Sequence, residues 1–300
     1  MRQGYGIVLD FSKAGSLEMV QEDTQDMDFL WPSSQVALEI FKESQHNRLV
    51  KAEIIFNSPI AIYSWDFVAD ALIKEGIVSQ KDNTYYIVDM VKLTDLIMDH
   101  TQWKDIGVDL YGRISIQTTD PIKSNSGNMF YGLLANILNG GNVVSTEQEL
   151  AAVLPKLKNI YDLSGYMESS SSDLFEQYLK MGPGSKPLVA GYESQLIEFS
   201  KENPEIWENV KSRIVVLYPI PTVWSSHPFI SLNNGANMVI EALRDKRLQE
   251  IAWKDHGFRT GVAGSQIEDN LGLNIPATLD QIVEMPKSRI MIKLMDELSK

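Results

Sequence analysis

The chain reads as an α/β protein, and three features of its 300 residues predict it. Short apolar runs at strand spacing alternate with segments whose apolar residues recur at helical spacing. Four times an apolar run gives way to small polar residues and then to such a helical segment. No internal repeat and no long linker interrupts the pattern, and strands alternating with helices throughout predict mainly parallel sheets.

In chain order, Ile7-Val8-Leu9 reads as a strand before Ala14-Gly15-Ser16 and a helical pattern of Leu17, Met19 and Val20. Phe29-Leu30-Trp31 is a short buried strand, followed by Pro32-Ser33-Ser34 and a helix marked by Val36, Ala37, Ile40 and Phe41. Proline suits a first helical turn, and either serine can cap it. The apolar stretch 51–63 carries Asn57-Ser58-Pro59, then Ile60 to Tyr63 as a buried strand. A helix through Phe67, Val68, Ala71, Leu72 and Ile73 ends at Gly76. Tyr85 to Val88 is extended, and Met90 to Met98 is helical. The run 112–117 (GRISIQ) alternates as a strand through Ile114 and Ile116. A helix from Ser126 or Gly127 then carries Met129, Phe130, Leu133, Leu134, Ile137 and Leu138. Thr146-x-x-Glu149 is a capping box. The serines 169–172, with Asp173, cap the helix of Phe175, Tyr178 and Leu179. After the turn at 181–184, Pro187 to Ala190 is strand-like and Leu196, Ile197 and Phe199 helical. Ile214 to Pro219 is another strand, and Pro219, Pro221 and Pro228 stiffen the chain from its end onward. One or two helices span Asn237 to Trp253, ending at Gly257, and Ser288 to Leu298 is the last.

The stretch 118–138 is the most informative for function. A helix start leaves backbone N–H groups unpaired and gathers partial positive charge. Ser124, Ser126 and Gly127 therefore sit where a small anion or polar ligand can be held without a charged side chain. Taken alone, a serine there is an N-cap. Repetition of such junctions predicts a pocket, because ligands of open α/β sheets bind outside the carboxyl ends of strands.

Composition narrows the functional classes. The net charge is −13, with no dense Lys/Arg cluster, which argues against nucleic acid and anionic membranes as main partners. No apolar run is long enough to span a bilayer. Cysteine is absent, so disulfides, thiolate metal ligands and a cysteine nucleophile are excluded. The start, MRQGYGIVLD, shows no secretory signal; the expectation is a cytosolic chain or one whose targeting segment was removed. The histidines His46, His100, His227 and His256 are scattered, with no H-E-x-x-H pattern. No G-x-S-x-G, S-x-x-K, P-loop or G-x-G-x-x-G motif occurs. The acidic pairs Glu22/Asp23 and Asp26/Asp28 suit solvated turns. Trp31, Trp65 and Trp224 suit a core or a stacking cleft. The expectation is a protein without catalysis and without a cofactor.

The order of six segments resembles a known family: GS at 15–16, DMDFLWPSS at 26–34, NSPIAIYS at 57–64, TDPIKSNSG at 119–127, AGYES at 190–194 and YPIPTVWSSHPFISL at 218–232. It resembles the bacterial extracellular solute-binding proteins of the type II periplasmic class, among them the molybdate and other oxyanion receptors of ABC importers. The segment RDKRLQEIAWKDHGFRTG at 244–261 adds to the likeness. The resemblance implies two α/β lobes joined by two crossover strands, lobe one being 1–63 plus 218–300 and lobe two 64–217. It implies ligand contacts from Ser16, Ser33 or Ser34, Ser124, Ser126, the Gly127 N–H and Tyr192. It also implies a small polar or anionic ligand, a membrane permease as partner and an extracytoplasmic location. A ligand-sensing module signalling to a partner protein, or an enzyme on the same fold, would present similar residues. Such receptors begin with a strand and helix ahead of the part matched by 4–20. Their loss would leave a sheet edge open to pairing.

Overall fold

The computed structural model describes residues 2–260, 273 and 275–300. Gly261, the last residue of the 244–261 segment, lies outside the described residues. In chain order the structure begins with α1 (Arg2–Tyr5), β1 (Phe29–Leu30), α2 (Gln35–Ser44), β2 (Lys51–Trp65), α3 (Asp66–Lys74), β3 (Val78–Lys81), β4 (Thr84–Ile87) and α4 (Met90–Met98). It continues with α5 (Asn125–Leu138), α6 (Glu147–Ser164), α7 (Ser171–Met181), β5 (Val189–Tyr192), α8 (Glu193–Glu202) and α9 (Pro204–Val210). The chain closes with β6 (Ile214–Pro219), β7 (Trp224–Ser231), α10 (Asn237–Leu243), α11 (Lys246–Lys254) and α12 (Ser288–Leu298).

Strand β2 organises the molecule. It runs without a break through Asn57-Ser58-Pro59 and changes partners there. Lys51 to Pro59 pair with β7, while Ile60 to Trp65 pair with β5 on one edge and β6 on the other. The sheet order is β1-β7-β2-β6-β4-β3, with β5 attached to β2. From Ile60 to Tyr63 every side chain is fully buried, because helices or strands cover this stretch on both faces. Apolar packing divides in two: a large cluster around Ile62, Phe130, Leu134 and Leu217, and a smaller one around Ile55, Phe56, Phe229 and Ile240.

The α/β class holds, but the expected strand direction does not. Among the named pairings only β4–β6 is parallel; β5, β6 and β7 all run back against β2. Two runs expected as strands lack a ladder to join. Residues 7–9 form no strand. Ile7 and Leu9 pack on the smaller cluster while Val8 points outward, 70% exposed, so the alternation marks an extended segment lying on the core. The helix expected from Leu17 is instead a run of turns, closed by the Met19 N–H on the Gly15 carbonyl at 2.9 Å and the Glu22 N–H on the Glu18 carbonyl at 3.2 Å. Residues 112–117 are held by isolated bridges, Gln102 to Arg113 and Gln117 to Val189, with Ile114 and Ile116 buried.

Elsewhere local chemistry fixes element ends. Ser34 caps α2 and Ser170 caps α7, each accepting a backbone N–H, and the Thr146/Glu149 box opens α6. Helix α12 spans both sides of the sheet switch. Ser288 bonds Glu39 and Glu43 of α2, while Arg289 and Lys293 pair with Glu147 of α6.

Candidate functional site

Two strand-to-helix junctions, β1–α2 and β5–α8, the loop that enters α5 and the turn at 15–18 converge beside the point where β2 changes partners. The loop before α2 brings Ser33. Its hydroxyl lies 2.9 Å from that of Ser16, and its N–H donates to the Ser16 Oγ at 3.0 Å. Ser225 of β7 donates its hydroxyl to the Ser33 carbonyl at 2.8 Å. The end of β5 brings Tyr192.

Helix α5 begins at Asn125, one residue earlier than the sequence predicts. Ser124 occupies the N-cap position, with extended backbone, but its side chain makes no capping bond. Its hydroxyl instead sits 3.2 Å from that of Ser126, which in turn lies 2.6 Å from Thr119 Oγ1. Ser126 is therefore not the cap. It is buried in the first turn, inside a short chain of hydroxyls. Gly127 packs this turn onto the 119–121 backbone: a Cβ there would stand 2.1 Å from the Thr119 carbonyl oxygen. No side chain fits at that position.

Asn125 ties the parts together. Its amide nitrogen reaches the Ser33 carbonyl at 2.9 Å, the Ser33 hydroxyl at 3.1 Å and the Tyr192 hydroxyl at 3.0 Å. A carbonyl only accepts, so the Ser33 contact fixes which end of the amide is the donor. The other end, Oδ1, is buried without a hydrogen-bond partner. The Tyr192 phenol is pushed up to about 12 by burial, an effect partly offset by hydrogen bonds from Asn125, Ser225, Ser126 and Ser33. It is a neutral hydroxyl at any ordinary pH.

Tyr192 is held from behind as well. Its N–H donates to Gln195 Oε1 at 3.2 Å, and Tyr63 donates to its carbonyl. The next residue, Glu193, is buried and forked onto Arg259, at 2.7 Å to Nε and 2.8 Å to the terminal nitrogen Nη2. Tyr218 donates to the same carboxylate at 2.6 Å.

Next to the hydroxyl cluster lies a cleft of about 320 Å3, walled by Gly15 to Glu18 on one side and Pro121 to Asn125 on the other. Glu18 and Lys123 are among the residues that line it, Glu18 accepting the Gly15 N–H at 3.1 Å. Lys123 is salt-bridged to Asp120 at 3.1 Å, which raises the ammonium pKa.

Of the residues singled out in the sequence, Ser16 and Ser33 are hydrogen-bonded to each other, Ser33 and Tyr192 meet through Asn125, and Ser124 and Ser126 adjoin. Ser34 is set apart, its hydroxyl spent on the α2 cap at 3.4 Å from the Ala37 nitrogen. Asn125, Thr119 and Ser225 were not among them. Asn125 lies one residue before the helix start that the sequence predicts, and its partners are 92 and 67 residues away. Among the described residues no group of three or more His, Cys, Asp or Glu side chains is placed to hold a metal ion.

The chain matches no family model, and no curated protein sequence matches it. Solved structures do. The substrate-binding protein of an ABC transporter from Agrobacterium tumefaciens is 13% identical, with a TM-score of 0.56 over 95% of this chain and 82% of that one. The Trichodesmium protein FutA (IdiA), in complex with iron and citrate, is 12% identical, with a TM-score of 0.59 over 99% and 91%. A Bordetella ferric binding protein is 14% identical, with a TM-score of 0.57 over 99% and 92%. At these identities the likeness is one of fold, and the fold is that of the two-lobed periplasmic binding proteins.

Proposed function

We propose that this protein is the solute-binding receptor of an ABC-type importer, clamping a small polar or oxyanionic ligand between two lobes and handing it to a membrane permease. On this reading the lobes are 1–63 plus 218–300 and 64–217, the protein works outside the cytoplasm, and it performs no chemistry on its ligand. Ser16, Ser33, Ser124, Ser126, the Gly127 N–H and Tyr192 supply the grip, joined by Asn125; Ser34 serves the cap.

The observation that carries the reading is the bridge from Ser33 through Asn125 to Tyr192. It links residues on both sides of the proposed boundary, directly beside a cleft walled from both sides. The donors are hydroxyl, amide and backbone N–H groups, which suit a polar or anionic group and offer no nucleophile activated by a base. The fold shared with transporter-associated binding proteins supports the same reading.

The test is thermal stability against a panel of oxyanions, sugars, organic acids and amino acids. A ligand at 100 times its Kd stabilises the folded state by about 2.7 kcal/mol. A reproducible rise with one chemical class is expected; a panel without any stabilising member would contradict the proposal.

A further inference from the structure

Two Asn-Gly pairs occur in the chain, Asn139-Gly140 and Asn234-Gly235. Such a pair carries its own reaction. With no Cβ on the following residue, that residue's backbone nitrogen can reach the carbonyl carbon of the asparagine side chain. The fold decides whether the two groups are free to meet, and it treats the two pairs differently.

Asn139 and Gly140 follow helix α5 and are tied down. The Gly140 N–H donates to the Ile137 carbonyl at 3.1 Å, and the Asn139 N–H to those of Ala135 and Asn136 at 3.0 and 3.1 Å. The Asn139 side-chain nitrogen donates to the Asn142 carbonyl at 3.3 Å. Ring closure there has to break the Gly140 bond first.

Asn234 and Gly235 are exposed, in the turn between β7 and α10. Asn233 pins the start of this turn: its side-chain nitrogen donates to Asp28, and its Oδ1 accepts the Ala236 N–H at 3.0 Å. Among the described residues neither the Asn234 side chain nor the Gly235 N–H makes a hydrogen bond.

We infer that Asn234 is a site of self-modification. The Gly235 backbone nitrogen bonds to the Asn234 Cγ, and the side-chain nitrogen leaves as ammonia, taking the Gly235 N–H proton. Water then opens the succinimide at either carbonyl, leaving aspartate or isoaspartate. Both products add a negative charge to a chain already at −13. Isoaspartate also routes the main chain through its side chain, which lengthens the turn.

Peptide mass spectrometry of the full chain, incubated at mildly alkaline pH in buffer and in urea, follows both sites in one sample. In buffer Asn234 should convert about threefold to tenfold faster than Asn139, the rate factor of one hydrogen bond that must be broken first. In urea, where neither pair keeps its bonds, the two rates should meet. Gly235→Ala should slow conversion at Asn234, because the methyl hinders the attack. Its Cβ would stand 3.1 Å from Asn233 Oδ1, the movable end of a side chain, so the turn accommodates it. Asn234 intact in buffer, Asn139 converting as fast there, or rates that stay apart in urea would overturn the inference. So would a Gly235→Ala variant that converts at the parent rate.

Discussion

Arg259→Met should be among the most damaging single substitutions in this protein. Arg259 is the sole cation bonded to Glu193 among the described residues, through two bonds of 2.7 and 2.8 Å. It also donates to the carbonyls of Pro276 and Ala277 and lies against the rings of Trp224 and Trp253. Methionine keeps part of the packing but leaves the Glu193 carboxylate, 1% exposed, with Tyr218 as its side-chain partner among the described residues. Breaking a buried pair from one side costs about 3–5 kcal/mol, because the remaining charge stays desolvated. At roughly 2–3 °C per kcal/mol for a chain of this size, the melting temperature should fall by about 6–15 °C. Adding Glu193→Gln removes the stranded charge, so the double variant should recover at least about 2 kcal/mol relative to additivity. Urea unfolding followed by circular dichroism measures both. A loss under about 1 kcal/mol for Arg259→Met, or simple additivity in the double variant, would refute the argument from burial.

Two other outcomes are expected from the site and its surroundings. Ser126→Ala removes a buried hydroxyl and strips Thr119 of its partner, so stability should fall by about 1–3 kcal/mol, and affinity for an anionic ligand should fall about tenfold to a hundredfold. Lost stability with unchanged affinity in a paired melt and titration would remove Ser126 from the grip. His227, packed edge-on to Phe258 at 4.9 Å, is pushed down to about 4 by burial. The unfolded chain therefore binds the proton first. The stabilisation is complete above pH 6.5 and is lost as pH falls toward 4, about 2 kcal/mol of it between pH 7 and pH 5. A His227→Gln variant should lose that part of the pH dependence, and melts at the two pH values would show otherwise if its slope matched the parent's.

Local signals in the sequence located most helices because their ends are set locally. Helices α4 and α12 fall on the predicted bounds, and the Thr146/Glu149 box opens α6 as its spacing requires. Strands were harder, since a strand exists only if a distant segment pairs with it. Alternation at 7–9 and 112–117 was real, and Ile114 and Ile116 are buried, yet neither run has a continuous neighbour. Pro228 hides strand β7 in the sequence, because a proline within an apolar run argues against a strand. The proline is accommodated at the bulge where the register against β2 shifts between Ile54 and Phe56. The site was legible as junctions and not as contacts. Ser33 and Tyr192 were visible as small polar or terminal residues after apolar runs. Asn125, which joins them, is 92 residues from one and 67 from the other. Nothing in its own neighbourhood signals either partner.

The central claim is that two lobes close on a ligand by turning about the stretch where β2 and β6 cross between them, near Ile62–Ser64 and Leu217–Pro219. Small-angle scattering, with and without a ligand that raises the melting temperature, tests it most directly. The account predicts a smaller radius of gyration in the bound sample. The same radius in both samples at saturation would contradict it.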